Sequence, residues 1–396
     1  MMKKNLTEPQ TAFLTPALKE KFEDGYGSCR VILVSAPCGC GKTAACLSLL
    51  KGKKICRWNG AESIFSEKEI PQGTEAVFMD DLQYLTNQEE REELCRIIAE
   101  HSSLHFILAG RCRVPGYLMP FKTTGSMLVI TINDLLMDRE TSLGMLKVRG
   151  IVPSPLDMGK IQRDMKGYPL AMEMLCHYLN DSQTYSEEAY SAAKRDVLVY
   201  LDEAVFKRFE QPVRELLLDV SLFDTFTLEL AKIVSGNSRT GEILGMLERD
   251  TSMLIYESTN HYRFQHIFRE MLLWENERRR TDEERRVIYG RAALYHELEG
   301  DFEKSLEYYS KAGEQSKVSS LLIKNAEQHP GIGHYREMQD YYFALPEEEV
   351  RRSPSFMCAL SLLTSMRLDY ETSEKWYGEL KKYSAGLSKS DPEYLE

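Results

Sequence analysis

Residues 36–43 read Ala-Pro-Cys-Gly-Cys-Gly-Lys-Thr, directly after Val31-Ile32-Leu33-Val34-Ser35 and directly before Ala44-Ala45-Cys46-Leu47. An apolar strand, a glycine-bearing loop and a helix opening on Lys-Thr are the context of a phosphate-binding P-loop. Phosphate carries negative charge that must be met without bulk. Gly39 and Gly41 let the loop bend and bring the backbone N–H groups of Cys38, Cys40 and Ala44 close to an anion. The start of the following helix adds unpaired donors and its positive dipole end. Lys42 can reach the β- and γ-phosphates, and the Thr43 hydroxyl can hold Mg²⁺. The usual first glycine is replaced by Ala36. An ordinary strand–turn–helix with a chance lysine is the competing reading. The agreement of Gly-Lys-Thr with the strand and the helix start weighs against it.

Hydrolysis of a bound phosphate needs more than the loop. Ala76-Val77-Phe78-Met79-Asp80-Asp81 reads as a buried strand with two acids at its C-terminal end, where ligands bind in open α/β sheets. Asp80 would hold Mg²⁺ through water, and Asp81 would orient or activate the attacking water. Two acids capping the next helix is the plainer alternative. The strand Leu104–Leu108 ends in Ala109-Gly110-Arg111, and a cation there would distinguish ATP from ADP at the γ-phosphate. A surface arginine paired with an acid is the duller option. His266 follows an apolar run and, as a lone histidine, reads first as a packed core residue. Cys38 and Cys40 form a Cys-x-Cys pair with Cys29, Cys46 and Cys56 nearby in sequence. Without a second matching pair this is weak as a metal site, although a helix N-terminus can make one thiol more acidic.

These residues need a scaffold, and the hydrophobic pattern supplies one. Residues 1–30 read as a short helical lead-in, with Leu14, Leu18 and Phe22 at helical spacing before Asp24-Gly25-Tyr26-Gly27. From 31 to 132, strand-like runs (Val31–Val34, Lys54–Trp58, Ala76–Met79, Leu104–Leu108, Met127–Ile132) alternate with amphipathic segments such as Asn87–His101. That alternation predicts a parallel sheet with helices on both faces. Residues 133–194 read as a helical domain with a sharp joint at Gly167-Tyr168-Pro169 and a polar linker over 182–194. Residues 195–280 read as helices followed by a hairpin, Met253–Glu257 and His261–Phe264, joined by Ser258-Thr259-Asn260. That is the outline of a winged helix, without a basic recognition face. Arg278–Arg286 reads as a solvated helix or hinge. Residues 281–396 are helical, and Phe302, Ser305, Tyr309 and Ala312 recur as Tyr370, Ser373, Tyr377 and Leu380, 68 residues later. This is twice the period of tetratricopeptide repeats, with a degenerate copy near Arg336, Gln339, Phe343 and Pro346. The expected fold class is therefore multidomain α/β plus α: nucleotide-binding domain, helical lid, winged helix and TPR-like repeats.

Bulk properties agree with this plan. A chain of 396 residues exceeds one ordinary domain. A formal net charge of −11 makes it a poor non-specific nucleic-acid binder. No apolar run approaches the roughly 20 residues of a membrane span, and Met1–Pro9 has no apolar core of a secretory signal. Nine scattered cysteines suit a reducing cytoplasm.

The motifs together resemble the STAND regulatory ATPases, and more narrowly the MalT-type, large ATP-binding LuxR-family transcription activators. Ser35 to Thr43 is similar to that family's phosphate loop, including the missing first glycine. Met79-Asp80-Asp81 resembles its acidic strand end and Ala109-Gly110-Arg111 its sensor arginine. Gly167-Tyr168-Pro169-Leu170-Ala171 is similar to the family's Gly-x-Pro element, which implies that Pro169 packs near adenine. Tyr200–Phe209 with Leu216–Phe226 resembles the start of its winged helix, and residues 289–312 its first repeat. Tyr262 to Phe268 is similar to its Tyr-Arg-x-His-His-Leu-Phe, with Gln265 in place of the first histidine, so that either His266 contacts the phosphate instead or the ADP-bound state is held less firmly. The resemblance implies an ADP-bound closed monomer that ATP and an inducer on the repeats open into an oligomer, with slow hydrolysis resetting the switch. DNA binding would belong to a C-terminal helix-turn-helix domain beyond this chain, which is expected to be part of a longer protein. A small-molecule kinase is the alternative from another class, and a scaffold with a vestigial loop the third.

Overall fold

A computed structural model describes residues 12–61, 70–179, 185–257, 260–328 and 332–386. The sequence readings at Met1–Pro9, at 182–184 and at the hairpin tip Ser258-Thr259 lie outside the described residues. The chain divides into two compact units at Arg279/Arg280.

The first unit is built on five parallel strands: β1 (Val31–Ser35), β2 (Ile55–Asn59), β3 (Ala76–Asp80), β4 (His105–Gly110) and β5 (Met127–Thr131). Their order is β2-β3-β4-β1-β5. All four neighbouring pairs are parallel, with Val31 opposite both Phe106 and Met127. β1 is buried along its whole length and β3 over its first four residues. Strands covered on both faces need continuous apolar runs rather than alternation, and that is why they were legible. Val31, Leu33, Val77, Met79, Phe106 and Leu108 share one core with Leu94, Ile97 and Ile98 of helix Gln88–Glu100. With β1 between β4 and β5, the C-terminal ends of β1, β3 and β4 converge on one crevice.

The lead-in helix Pro16–Ser28 starts on a Thr15 cap and a proline in its first turn. It runs through Gly25 and Gly27 rather than ending before them, because Gly25 packs against Leu128, where a Cβ would come within 2.3 Å of that side chain. The polar segment after 184 is likewise a helix, Glu187–Ala204, capped by Ser186. Its buried Tyr190, Ala193, Val197 and Leu201 lie on one face, so the polarity that read as linker is the solvated side of an amphipathic helix. The segment read as a lid comprises helices Arg139–Val148, Pro155–Met165 and Pro169–Leu179.

Helices Gln211–Ser221, Leu228–Ser235 and Thr240–Asp250 precede the antiparallel hairpin β6 (Leu254–Tyr256) and β7 (Tyr262–Phe264). Helix His266–Arg279 closes the domain, and its buried Asn276 donates to the Leu218 carbonyl at 2.7 Å. The charged run from 278 is split between two helices. Arg278 and Arg279 both pair with the buried Glu275, while Thr281 and Glu284 form a capping box that opens helix Asp282–Glu299.

The second unit is helical throughout its described residues. Helix Asp282–Glu299 packs on Phe302–Ala312, and Pro354–Met366 on Tyr370–Gly386. Ser305, Tyr309 and Ala312 are buried, whereas helix Tyr370–Gly386 buries Trp376 and exposes Tyr370 and Tyr377. The pattern recurring after 68 residues therefore does not turn the same face inward in both copies.

Candidate nucleotide-binding site

The loop after β1 has the local conformation its residues allow. Gly39 and Gly41 take φ of +81° and +71°, in the left-handed region. Gly41 stands at the N-cap of helix Lys42–Leu49 with no side chain capping it and no acid in the first turn. Among the described residues the amides of Gly39 to Ala44 find no acceptor. The carbonyls are tied up instead. Pro37 O accepts from Lys42 Nζ at 2.8 Å, Cys38 O from the Tyr168 hydroxyl, and Gly39 O from Leu170 N at 3.1 Å. Fixing three successive carbonyls leaves a run of unpaired N–H groups, an anion cradle.

Lys42 is 9 % exposed. Burial holds its pKa below the usual lysine value, and the like charge of Arg111 acts in the same direction. A buried ammonium beside a second cation is costly unless an anion joins them. Lys42 and Arg111 therefore lie near enough for the charge of one to act on the other. Thr43 Oγ1 donates to Asp80 Oδ2 at 2.5 Å. A hydroxyl and a carboxylate are hard oxygen ligands of the kind magnesium takes together with substrate phosphates. No cluster of three His, Cys, Asp or Glu side chains fit for a metal occurs among the described residues.

Asp80 Oδ1 also accepts from Asp81 N at 2.9 Å. Asp81 has φ of +56° and its side chain makes no capping bond to the short helix that follows, so capping is not its use here. Its Oδ1 accepts from Gln83 Nε2 at 2.6 Å, and Gln83 Oε1 accepts from Arg111 N at 3.0 Å. Arg111 O accepts from Ser252 Oγ at 2.8 Å. Arg113 reinforces this seam through Glu248 at 2.7 Å and the Arg249 carbonyl. The winged helix therefore rests on the end of β4.

A cavity of about 650 Å³ adjoins the loop at Gly39, Cys40, Gly41 and Ala44, within the range of small-molecule sites. Its walls come from the lead-in (Phe13, Leu14), from Leu135, Met137 and Met145, and from Pro169 and Leu170 of the lid. Arg149 and Glu173, paired at 2.7 Å, stand at its edge. Apolar walls beside an amide cradle suit a flat base joined to phosphates. Pro169 lines this cavity beside Gly41. Phe13, Met137, Arg149, Glu173 and Gln83 were missed, since no local spacing marks residues that meet only across the fold.

Two expectations are corrected. His266 does not reach the loop. Its Nε2 lies 3.4 Å from Glu270, its surroundings include Asp164, Lys166 and Lys194, and it lines no part of the cavity. It caps the joint between lid and winged helix, a position set by how those lobes dock. Nor does the helix start make Cys40 more acidic. Burial pushes Cys40 up to about 12 and outweighs the nearby Lys42 charge, and Cys46 is also raised by burial. Cys38 Sγ lies 3.3 Å from the Tyr200 hydroxyl.

His266 carries a testable pH dependence. Its pKa is lowered, first by burial and also by Lys166 and Lys194, against the opposing charge of Glu270. The folded value lies below the unfolded value near 6.5, so the neutral ring's contribution is complete above that pH and is lost as pH falls through the lowered pKa. His266→Gln is expected to lose less stability than the parent between pH 7 and pH 5 in urea unfolding. Identical pH slopes for the two proteins would remove this role.

Among known proteins, the family described as the MalT winged helix domain matches residues 201–285. No curated protein matches the chain. Of solved structures, a Walker-type ATPase of Pyrococcus abyssi is similar at 14 % identity and a TM-score of 0.51, over 67 % of this chain and 98 % of that one. A Signal Transduction ATPase with Numerous Domains (STAND) protein with a tetratricopeptide repeat sensor, from Pyrococcus horikoshii, gives 15 % identity and a TM-score of 0.39. That likeness covers 95 % of this chain and 59 % of the other. Sheet, loop and winged helix define a P-loop ATPase fold carrying a MalT-like winged-helix domain. Among the described residues no helix is long and apolar enough to cross a membrane.

Proposed function

We propose that the chain is a nucleotide-dependent conformational switch of the STAND class, the regulatory ATPase part of a MalT-type LuxR-family transcription regulator working in the cytoplasm. The observation that carries this reading is where the lobes attach. The lid holds the phosphate loop through Tyr168 and Leu170, and the winged helix holds the peptide of Arg111 through Ser252. Both attachments are made at groups that would move on meeting phosphate, so nucleotide occupancy is converted into lobe position.

In this reading Lys42 and the amides of Cys38 to Ala44 grip the phosphates, and Pro169 packs against adenine. Thr43 and Asp80 hold magnesium, which when bound neutralises the β- and γ-oxygens. Arg111 senses the γ-phosphate, and Asp81 orients the attacking water. The water oxygen bonds to the γ-phosphorus as the bond to the bridging oxygen of ADP breaks. The proton passes through Asp81 to the released phosphate. ADP favours the closed monomer. ATP, with a small-molecule or protein inducer on the helical repeats of 281–396, favours an open form that self-associates. DNA contact belongs to a C-terminal domain beyond this chain.

The test combines binding with turnover. Mass measurement of nucleotide released from the purified protein should find ADP, and turnover should fall below the roughly 1–100 s⁻¹ of kinases. Asp81→Asn should slow it about a hundredfold while leaving ADP affinity intact. No bound or bindable nucleotide, or fast substrate-dependent phosphoryl transfer, would defeat the reading.

A further inference from the structure

We propose that Gln83 is the positioning residue that aims the Asp81 carboxylate and ties it to the sensor peptide at Arg111; the proposal rests on the ATPase reading above. Gln83 spans two groups that local structure does not connect. Its Nε2 donates to Asp81 Oδ1 at 2.6 Å and its Oε1 accepts from Arg111 N at 3.0 Å. The amide orientation is forced, because a carboxylate only accepts and a peptide N–H only donates. With Oδ1 engaged, Asp81 Oδ2 has no partner among the described residues and is the oxygen left for water. The charge-assisted bond to Oδ1 is the stronger of the two. It holds the carboxylate at a residue whose left-handed φ of +56° already departs from ordinary backbone.

The neighbourhood is shaped around this bridge. A Cβ on Gly110 would stand 3.1 Å from Leu82 Cβ and in ordinary contact, 3.5 Å, with Gln83 Oε1, so the end of β4 packs closely on the turn that carries Gln83. Gln83 also borders a second cavity of about 950 Å³, with Arg91, Cys112, Arg113 and Tyr117, which gives its side chain space to swing. The Arg111 carbonyl is meanwhile held by Ser252 of the winged helix. A shift of the Arg111 peptide, from the phosphate side or from the winged helix, therefore reaches Asp81 through one side chain. Nothing in the local sequence marks Gln83 out. An amide there that merely stiffened the turn would act on stability alone.

The experiment measures steady-state ATP hydrolysis and fluorescent mant-ADP binding on the full chain. Gln83→Ala is expected to lower kcat about tenfold, with KM and the Kd for mant-ADP within about twofold of the parent. In an Asp81→Asn background the same change should cost nothing further, because both act through one carboxylate. Unchanged kcat in Gln83→Ala, or equal losses in both backgrounds, would each overturn the assignment. A parent protein that neither binds mant-ADP nor hydrolyses ATP would instead overturn the ATPase reading itself.

Discussion

Lys42→Met is expected to abolish retention of ADP and ATP while leaving the protein folded. The ammonium is buried beside the loop, donates to the Pro37 carbonyl at 2.8 Å, and stands near the like-charged Arg111. Its remaining N–H groups point to no other acceptor among the described residues. Hydrogen bonds to charged groups contribute about 1.5–3 kcal/mol each. Losing two of them to β- and γ-oxygens weakens binding by roughly two to four orders of magnitude. Methionine keeps the apolar stem that packs against the loop, so the comparison isolates the charge. Calorimetric titration with ADP checks the result, and circular dichroism checks the fold. Affinity equal to the parent's would show that the cradle is not where nucleotide binds, and the switch proposal would go with it.

Gly167→Ala is expected to destabilise the first unit more than any other single methyl addition at a glycine there. The position has φ of +69°, directly after Lys166 at +47°. An added Cβ would lie 1.9 Å from the Met137 carbonyl oxygen, across the contact in which Met137 N donates to Gly167 O at 2.9 Å. A left-handed alanine costs about 1 kcal/mol or somewhat more, and the collision with backbone adds roughly 1–3 kcal/mol. Gly150→Ala is the control, with φ of +77° and nothing within 4 Å of its Cβ, so only the conformational cost applies. Because Gly167 sets Tyr168 on the phosphate loop and Pro169 on the cavity, ADP affinity should drop with stability. Urea unfolding of the two variants makes the comparison. Equal midpoints would mean the turn relaxes without cost and does not anchor the lid.

The sequence was informative wherever a requirement is met by neighbouring residues. The five strands read correctly to within about two residues at each end, and for β1, β3 and β4 the reason is that burial on both faces demands an unbroken apolar run. Gly39, Gly41, Lys42 and Thr43 form one local conformation, and Asp80 follows its strand by chain continuity. The misreadings share one cause. The segment 187–194 read as linker because its buried Tyr190 and Ala193 are sparse among polar residues. His266 was assigned to phosphate by resemblance, yet docking of the lobes sets it beside Asp164, with Glu270 one turn along its own helix.

What the amino-acid order determined alone is the left-handed turn at Gly39 and Gly41 and the sheet beneath it, both products of short-range sterics and burial. What only the folded chain decided is which groups meet across lobes: Tyr168 on Cys38, 130 residues apart, and Ser252 on Arg111, 141 apart. Backbone conformation is fixed by neighbours, whereas such meetings depend on the summed packing of whole surfaces, and no local period encodes that sum.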